Sequence, residues 1–161
     1  MGFVLLLLSR ILDLILMIVG LFHTIFAAYR YGGKIKYINK VFYDSAVAID
    51  VYGNVAYGAL FNDLFIKKGG YHYGQGRETV SSATGKNWAK NKLTFLGKGF
   101  AGMLNMLDED HCWKAIEGYT LEYKNIIKPD KIHWIYTVSF IIFATVILSA
   151  LIWLNYWIFF L

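Results

Sequence analysis

The sequence predicts a mainly α protein, with two transmembrane helices flanking a small, mostly helical cytoplasmic domain. Three observations predict it. Residues 134–154 read W-I-Y-T-V-S-F-I-I-F-A-T-V-I-L-S-A-L-I-W-L, 21 residues without a charge, the length a helix needs to cross a bilayer. Residues 3–29 are nearly as apolar. The stretch between them is basic and rich in glycine. The expected division is therefore residues 3–29 as the first transmembrane helix, 30–132 as the cytoplasmic domain, and 133–157 as the second transmembrane helix.

Composition agrees. The chain is 57% hydrophobic and 17% charged, against about 45–50% and about 25% for a typical soluble domain. The apolar excess sits at the two ends. A middle segment of about 100 residues is long enough to bury a modest core. Of the 16 basic residues, 14 lie between residues 31 and 132 with ten of the 11 acids, which leaves that segment near +4. A basic excess of this size beside a membrane speaks for topology and anionic headgroups, not for nucleic acid. Cys112 is the single cysteine, so the chain forms no internal disulfide, as suits a reducing compartment.

The first apolar stretch has no basic residue ahead of it, runs too long for a cleaved signal, and offers only a poor cleavage site at Ala27-Ala28-Tyr29. It is read as a retained span. Arg10 and Asp13 interrupt it. Each charge costs about 2.5–3.5 kcal/mol at the centre of a bilayer helix, but three residues apart they share a face and pair. With His23 they are the expected membrane contacts, and the surface through which two copies would meet. Arg30, Lys34, Lys36 and Lys40 follow this helix, and Lys124, Lys128 and Lys131 precede the second. The positive-inside rule then puts the middle domain in the cytoplasm and both termini outside.

In the middle segment a helix is expected over residues 45–68. Val47, Val51 and Val55 recur at four-residue spacing, with Asp44 or Ser45 as N-cap and Gly69-Gly70 as the stop. Asp50 and Asn54 fall one turn apart on one face. Gly53 and Gly58 weaken such a helix by about 1 kcal/mol each, which points to close packing there. Residues 69–76 form a glycine–aromatic loop. A short helix from Thr79 to Gly85 follows, then a basic run of Lys86, Lys90, Lys92 and Lys98, read as a solvated face. Further helices are expected over residues 100–107 and 110–124. The second has Asp108, Glu109 and Asp110 at its positive dipole end and Cys112 and Ile116 on its inner stripe.

Two formal motif matches fail. Gly97-Lys98-Gly99-Phe100-Ala101-Gly102 has the dinucleotide spacing but no preceding strand or βαβ unit, and Gly85-Lys86 lacks the earlier glycine of a phosphate loop, with Val80 in its place. The candidate polar core network is Asp50, Asn54, Glu78, Thr79 and Ser81. The residues with catalytic potential are Glu78, Ser81, His111 and Cys112, as acid–base or nucleophile groups. Adjacent His111 and Cys112 point about 100° apart on a helix, and the chain offers few zinc-type ligands. No metal and no cofactor is assigned.

The pattern Asp50-x3-Asn54, Gly58, Glu78-Thr79-Val80-Ser81-Ser82-x2-Gly85-Lys86, Gly97 and Asp110-His111-Cys112-x3-Ile116 resembles small uncharacterised proteins of tailed phages and prophages. The resemblance covers roughly residues 46–117 and departs from the usual pattern in having less Arg and Pro. It implies a viral origin and a shared compact core, and no particular activity. The expected function is a phage-encoded inner-membrane protein, not an enzyme, acting by protein or lipid contacts in superinfection exclusion or host membrane takeover. The alternatives are a holin-like lysis protein and a membrane-tethered, metal-dependent hydrolase using Glu78 and His111. Expected partners are a bilayer with anionic headgroups, a second copy through the first helix, and an unidentified host or phage protein.

Overall fold

The structure is a computed structural model that describes residues 2–30, 34–76, 78–116 and 127–160. Among these the protein is mainly α, with seven helices and no strand: α1 Gly2–Arg30, α2 Lys34–Ala56, α3 Gly58–Phe65, α4 Val80–Ala89, α5 Phe95–Leu107, α6 His111–Lys114 and α7 Trp134–Phe160. Two of them, over Val4–Arg30 and Trp134–Trp157, are long and apolar enough to cross a membrane.

The chain divides into two compact units, Met1–Ala48 and Ile49–Leu161. The first holds α1 and the start of α2. Arg10 pairs with Asp13 at 3.5 Å along α1, and His23 is exposed.

The second unit is built on an aromatic core. Phe65 stacks on Phe100 with ring centroids 4.8 Å apart. Phe61 lies 5.1 Å from Phe65 and 5.4 Å from Tyr73, and Phe140 of α7 closes the stack 5.7 Å from Phe100. An antiparallel bridge between Ile66 and Leu93 joins the end of α3 to the approach of α5. There Thr94 caps α5, its hydroxyl accepting from Gly97 N at 3.0 Å and donating to Leu64 O at 2.7 Å.

The glycines of the false dinucleotide motif are packing positions. A Cβ at Gly97 would overlap Phe65 O, one at Gly99 would overlap Tyr136 O and Phe140, and one at Gly102 would overlap Thr137. They let α5 lie close to α3 and to the first turns of α7. Lys98 sits 5.1 Å over the Tyr136 ring at the same contact.

Several expected boundaries change. The helix expected over residues 45–68 starts earlier, at Lys34, and breaks at Tyr57. Asp44 and Ser45 are inside it, so neither caps it: Asp44 pairs with Lys40 at 2.7 Å and the Ser45 hydroxyl donates to Val41 O. The break falls beside Gly58, where a Cβ would lie 2.8 Å from the Gly74 backbone. Helix α4 runs through Gly85 to Ala89, because Gly85 is where it meets α6: a Cβ there would overlap Cys112 O.

The acids before α6 do not supply its dipole end. Asp110 adopts a left-handed conformation (φ 61°) with no side-chain cap bond, and α6 is only four residues long. Each acid takes a lysine instead: Asp108 with Lys114 at 2.9 Å, Glu109 with Lys131 at 2.6 Å, and Asp110 with Lys128. Lysines 128 and 131 precede α7, so these pairs tie the approach to α7 to the end of α5. The remainder of the helix expected over residues 110–124, with Lys124, lies outside the described residues, as do Tyr31 and Arg77.

Candidate functional site

The polar residues singled out in the sequence gather around the first turn of α4. A helix start leaves its first backbone N–H groups without intrahelical acceptors. Here Thr79 is the N-cap, its hydroxyl accepting from Ser82 N at 3.1 Å. Asp50 reaches across from α2 and accepts from Val80 N at 3.1 Å through Oδ1. Its negative charge at the positive end of the helix adds a favourable dipole interaction.

The other Asp50 oxygen accepts the Ser81 hydroxyl proton at 2.7 Å, and His111 Nε2 lies 3.1 Å from the same hydroxyl oxygen. A serine has one proton to donate. With that proton directed at Asp50, His111 is the donor and Ser81 the acceptor of the second bond. The order is carboxylate, hydroxyl, imidazole. A nucleophilic serine needs the imidazole in the middle, accepting the serine proton. Ser81 is also only 1% exposed.

A second branch leaves the same turn on the neighbouring face. Glu78 Oε1 accepts from Ser82 Oγ at 2.6 Å and pairs with Lys86 at 2.5 Å. Both partners of the pair are buried. The Lys86 ammonium lies 4.5 Å over the Tyr71 ring. Burial works to lower the Lys86 pKa, but Glu78 and Tyr71 outweigh it and leave the ammonium above its ordinary value. Burial, then Glu78, raises the Tyr71 hydroxyl. Lys86 is thus no part of a solvated basic face. The two-turn spacing that puts it opposite Glu78 is masked by the lysines that follow it in sequence.

Three asparagines hold the glycine–aromatic loop as a strand partner would. Asn87 takes both backbone groups of Tyr71, accepting from N at 2.7 Å and donating to O at 2.7 Å. Asn62 does the same for Tyr73, at 2.7 and 3.2 Å. Asn54 accepts from Gly74 N at 3.0 Å and donates to Glu78 O at 2.9 Å. A side-chain amide has the donor and acceptor pair of a peptide group, so the loop keeps its backbone bonds satisfied without a sheet. Below it the Tyr73 hydroxyl lies 2.8 Å from Thr84 Oγ1, and burial pushes the Tyr73 pKa up.

Cys112 is fully buried between α4 and α5, its backbone N–H donating to Asn105 Oδ1 at 3.0 Å. Burial first, then the Asp50 charge, pushes its thiol up to about 12. It therefore carries no thiolate near neutral pH.

The structure thus brings Asp50, Asn54, Glu78, Thr79, Ser81, His111 and Cys112 to one region. It divides them into an Asp50–Ser81–His111 branch and a Glu78–Ser82–Lys86 branch. Arg10, Asp13 and His23 belong to the other unit. Asn62, Asn87, Thr84 and Lys86 complete the arrangement. Their one sequence signal is a polar residue on an otherwise apolar helix face, as at Asn62 between Phe61 and Leu64. Among the described residues no group of three metal-type ligands is found. Comparison with protein-family models gives no match, and neither curated proteins nor solved structures give a significant match to the chain.

Proposed function

We propose that this chain is an integral membrane protein of tailed-phage origin, resident in the host inner membrane, that acts through contacts and not by catalysis. Its middle domain faces the cytoplasm and both termini lie outside, following the lysines that flank the two apolar helices. Superinfection exclusion or takeover of the host membrane is the role this organisation suits best. The observation that carries the reading is the Ser81 hydroxyl, buried between Asp50 and His111 with its proton directed at the carboxylate. The groups that chemistry would need are spent on holding α4 and the loop. The partners are a bilayer with anionic headgroups, a second copy through α1, and a host or phage protein.

Expression in susceptible cells followed by phage challenge tests this. Exclusion predicts survival of challenged cells, with culture density unchanged in unchallenged ones. The reading falls if neither plating efficiency nor lysis timing changes. A lysis role is the second reading, because both long apolar helices leave their lateral faces uncovered within the chain. Purified protein that releases dye from liposomes would move the conclusion there. A hydrolase built on Glu78 and His111 has less support: Glu78 is held by Ser82 and Lys86, while His111 is bound to Ser81.

A further inference from the structure

A cleft of about 420 Å³ opens between the C-terminal half of α5 and the first two turns of α7. Its walls are mostly apolar, with Met106, Ile132, Val138 and Ile141 among them. Its size is that of a small-ligand site.

The cleft also holds polar groups that lack partners. Trp88 and Thr137 line it, and are 6% and 7% exposed. Neither the Trp88 indole N–H nor the Thr137 hydroxyl has a hydrogen-bond partner among the described residues. Asn105, also in the lining, uses Oδ1 to accept from Cys112 N and leaves its Nδ2 without one. The Trp88 N–H is a buried donor, and such a donor without an acceptor costs about 1–3 kcal/mol, whereas Asn105 is half-buried. Indole and amide N–H groups are donors only. What the cleft lacks is therefore an acceptor oxygen.

Position supplies the rest. The polar groups lie near the start of α7, where Trp134 marks the level of an interface. Ile141 lies about 10 Å further along, at 1.5 Å per residue, and leads onto the exposed apolar length of the helix. At the polar mouth Glu109 and Asp110 are each already paired, with Lys131 and Lys128. The mouth is close to neutral and does not demand a charged headgroup.

The geometry points to a lateral lipid site: the cleft takes one acyl chain, whose carbonyl oxygen accepts from Trp88, Asn105 and Thr137 while the hydrocarbon runs past Val138 toward Ile141. The carbonyl comes from the ester of a bilayer glycerolipid or from the carboxyl group of a free fatty acid. This rests on reading α7 as a membrane span.

The test uses the full chain purified in detergent. Intact-protein mass spectrometry counts retained lipid, and tryptophan quenching is measured with a phospholipid and a free fatty acid, each brominated on the acyl chain. Wild type should retain one lipid per chain through detergent washing. Val138→Trp and Ile141→Trp, which fill the cleft, should lower retention about ten-fold, the equivalent of 1.4 kcal/mol. Thr137→Val, which exchanges only the hydroxyl for a methyl group, should lower it several-fold with the unfolding temperature kept. Quenching by the phospholipid alone assigns a bilayer source, and quenching by the fatty acid a free one. Equal retention by wild type and both filled variants, with all three folded by thermal melt, overturns the site. Alkaline carbonate extraction of membranes reports separately on α7. A chain that washes off yet binds fatty acid in a Val138-sensitive way keeps the cleft and loses the span. A chain that stays in the membrane with variant-insensitive lipid loses the cleft alone.

Discussion

Ser81 donates to Asp50 at 2.7 Å and accepts from His111 at 3.1 Å, so one buried hydroxyl joins the last turns of α2 to the four-residue α6 through the first turn of α4. Ser81→Ala leaves a half-buried carboxylate oxygen and imidazole N–H without their partner, at a cost of about 1 kcal/mol. His111→Gln keeps a donor in reach and should cost less than His111→Ala. Thermal or denaturant unfolding of the solubilised chain reads both. A Ser81→Ala protein as stable as wild type would remove the structural role.

The Glu78–Lys86 pair makes a different demand. Lys86→Met leaves a buried carboxylate facing no cation, which costs about 3–5 kcal/mol. Glu78→Gln together with Lys86→Met removes both charges and should recover most of that loss. If the double variant is as unstable as the sum of the two single ones, the pair is not coupled and the buried ion pair is wrong.

Cys112 gives the domain an alkaline limit. Its folded pKa is raised from 9.0 to about 12. The unfolded thiol ionises first, so this contribution is fully present below about pH 9 and is lost as pH rises toward 12, at about 1.4 kcal/mol per unit. Wild type should therefore lose stability faster than Cys112→Ala over that window, and the two curves should run parallel below pH 8. In native buffer a thiol reagent should label Cys112 no faster than the domain opens.

The glycines separate by what faces them. Gly85→Ala and Gly99→Ala drive a Cβ into backbone carbonyls, at Cys112 and Tyr136, and each should cost about 3 kcal/mol or more. Gly102→Ala meets the Thr137 side chain, which can turn, and should cost less. Gly20→Ala, with nothing near it, should not lower the unfolding temperature.

The long apolar helices were legible because a run of uncharged residues needs no tertiary context to be read. So was the start of α4, expected from Thr79 and found one residue later at Val80, and Asp50 with Asn54 on one face, since both follow from local spacing. The break at Tyr57 was not, because it answers to a contact between Gly58 and Gly74 that only the folded loop creates. Asp108, Glu109 and Asp110 suggested a helix start by composition, yet Lys114 and two lysines distant in sequence, Lys128 and Lys131, claimed them. Lys86 looked like one of four surface lysines, and only the turn that places Glu78 opposite it makes it an interior residue. The loop itself read as irregular, which it is by backbone pattern. Nothing local announces that Asn54, Asn62 and Asn87 would supply its missing peptide partners.

Those asparagines also set an order of events during synthesis. Asn54 and Asn62 are made before the loop they hold, but Asn87 and then His111 come after it. At about 5–20 residues per second, the loop waits about a second for Asn87, and α4 a few seconds for His111. Throughout that interval the first apolar helix is already made, so the domain closes behind a finished N-terminal helix.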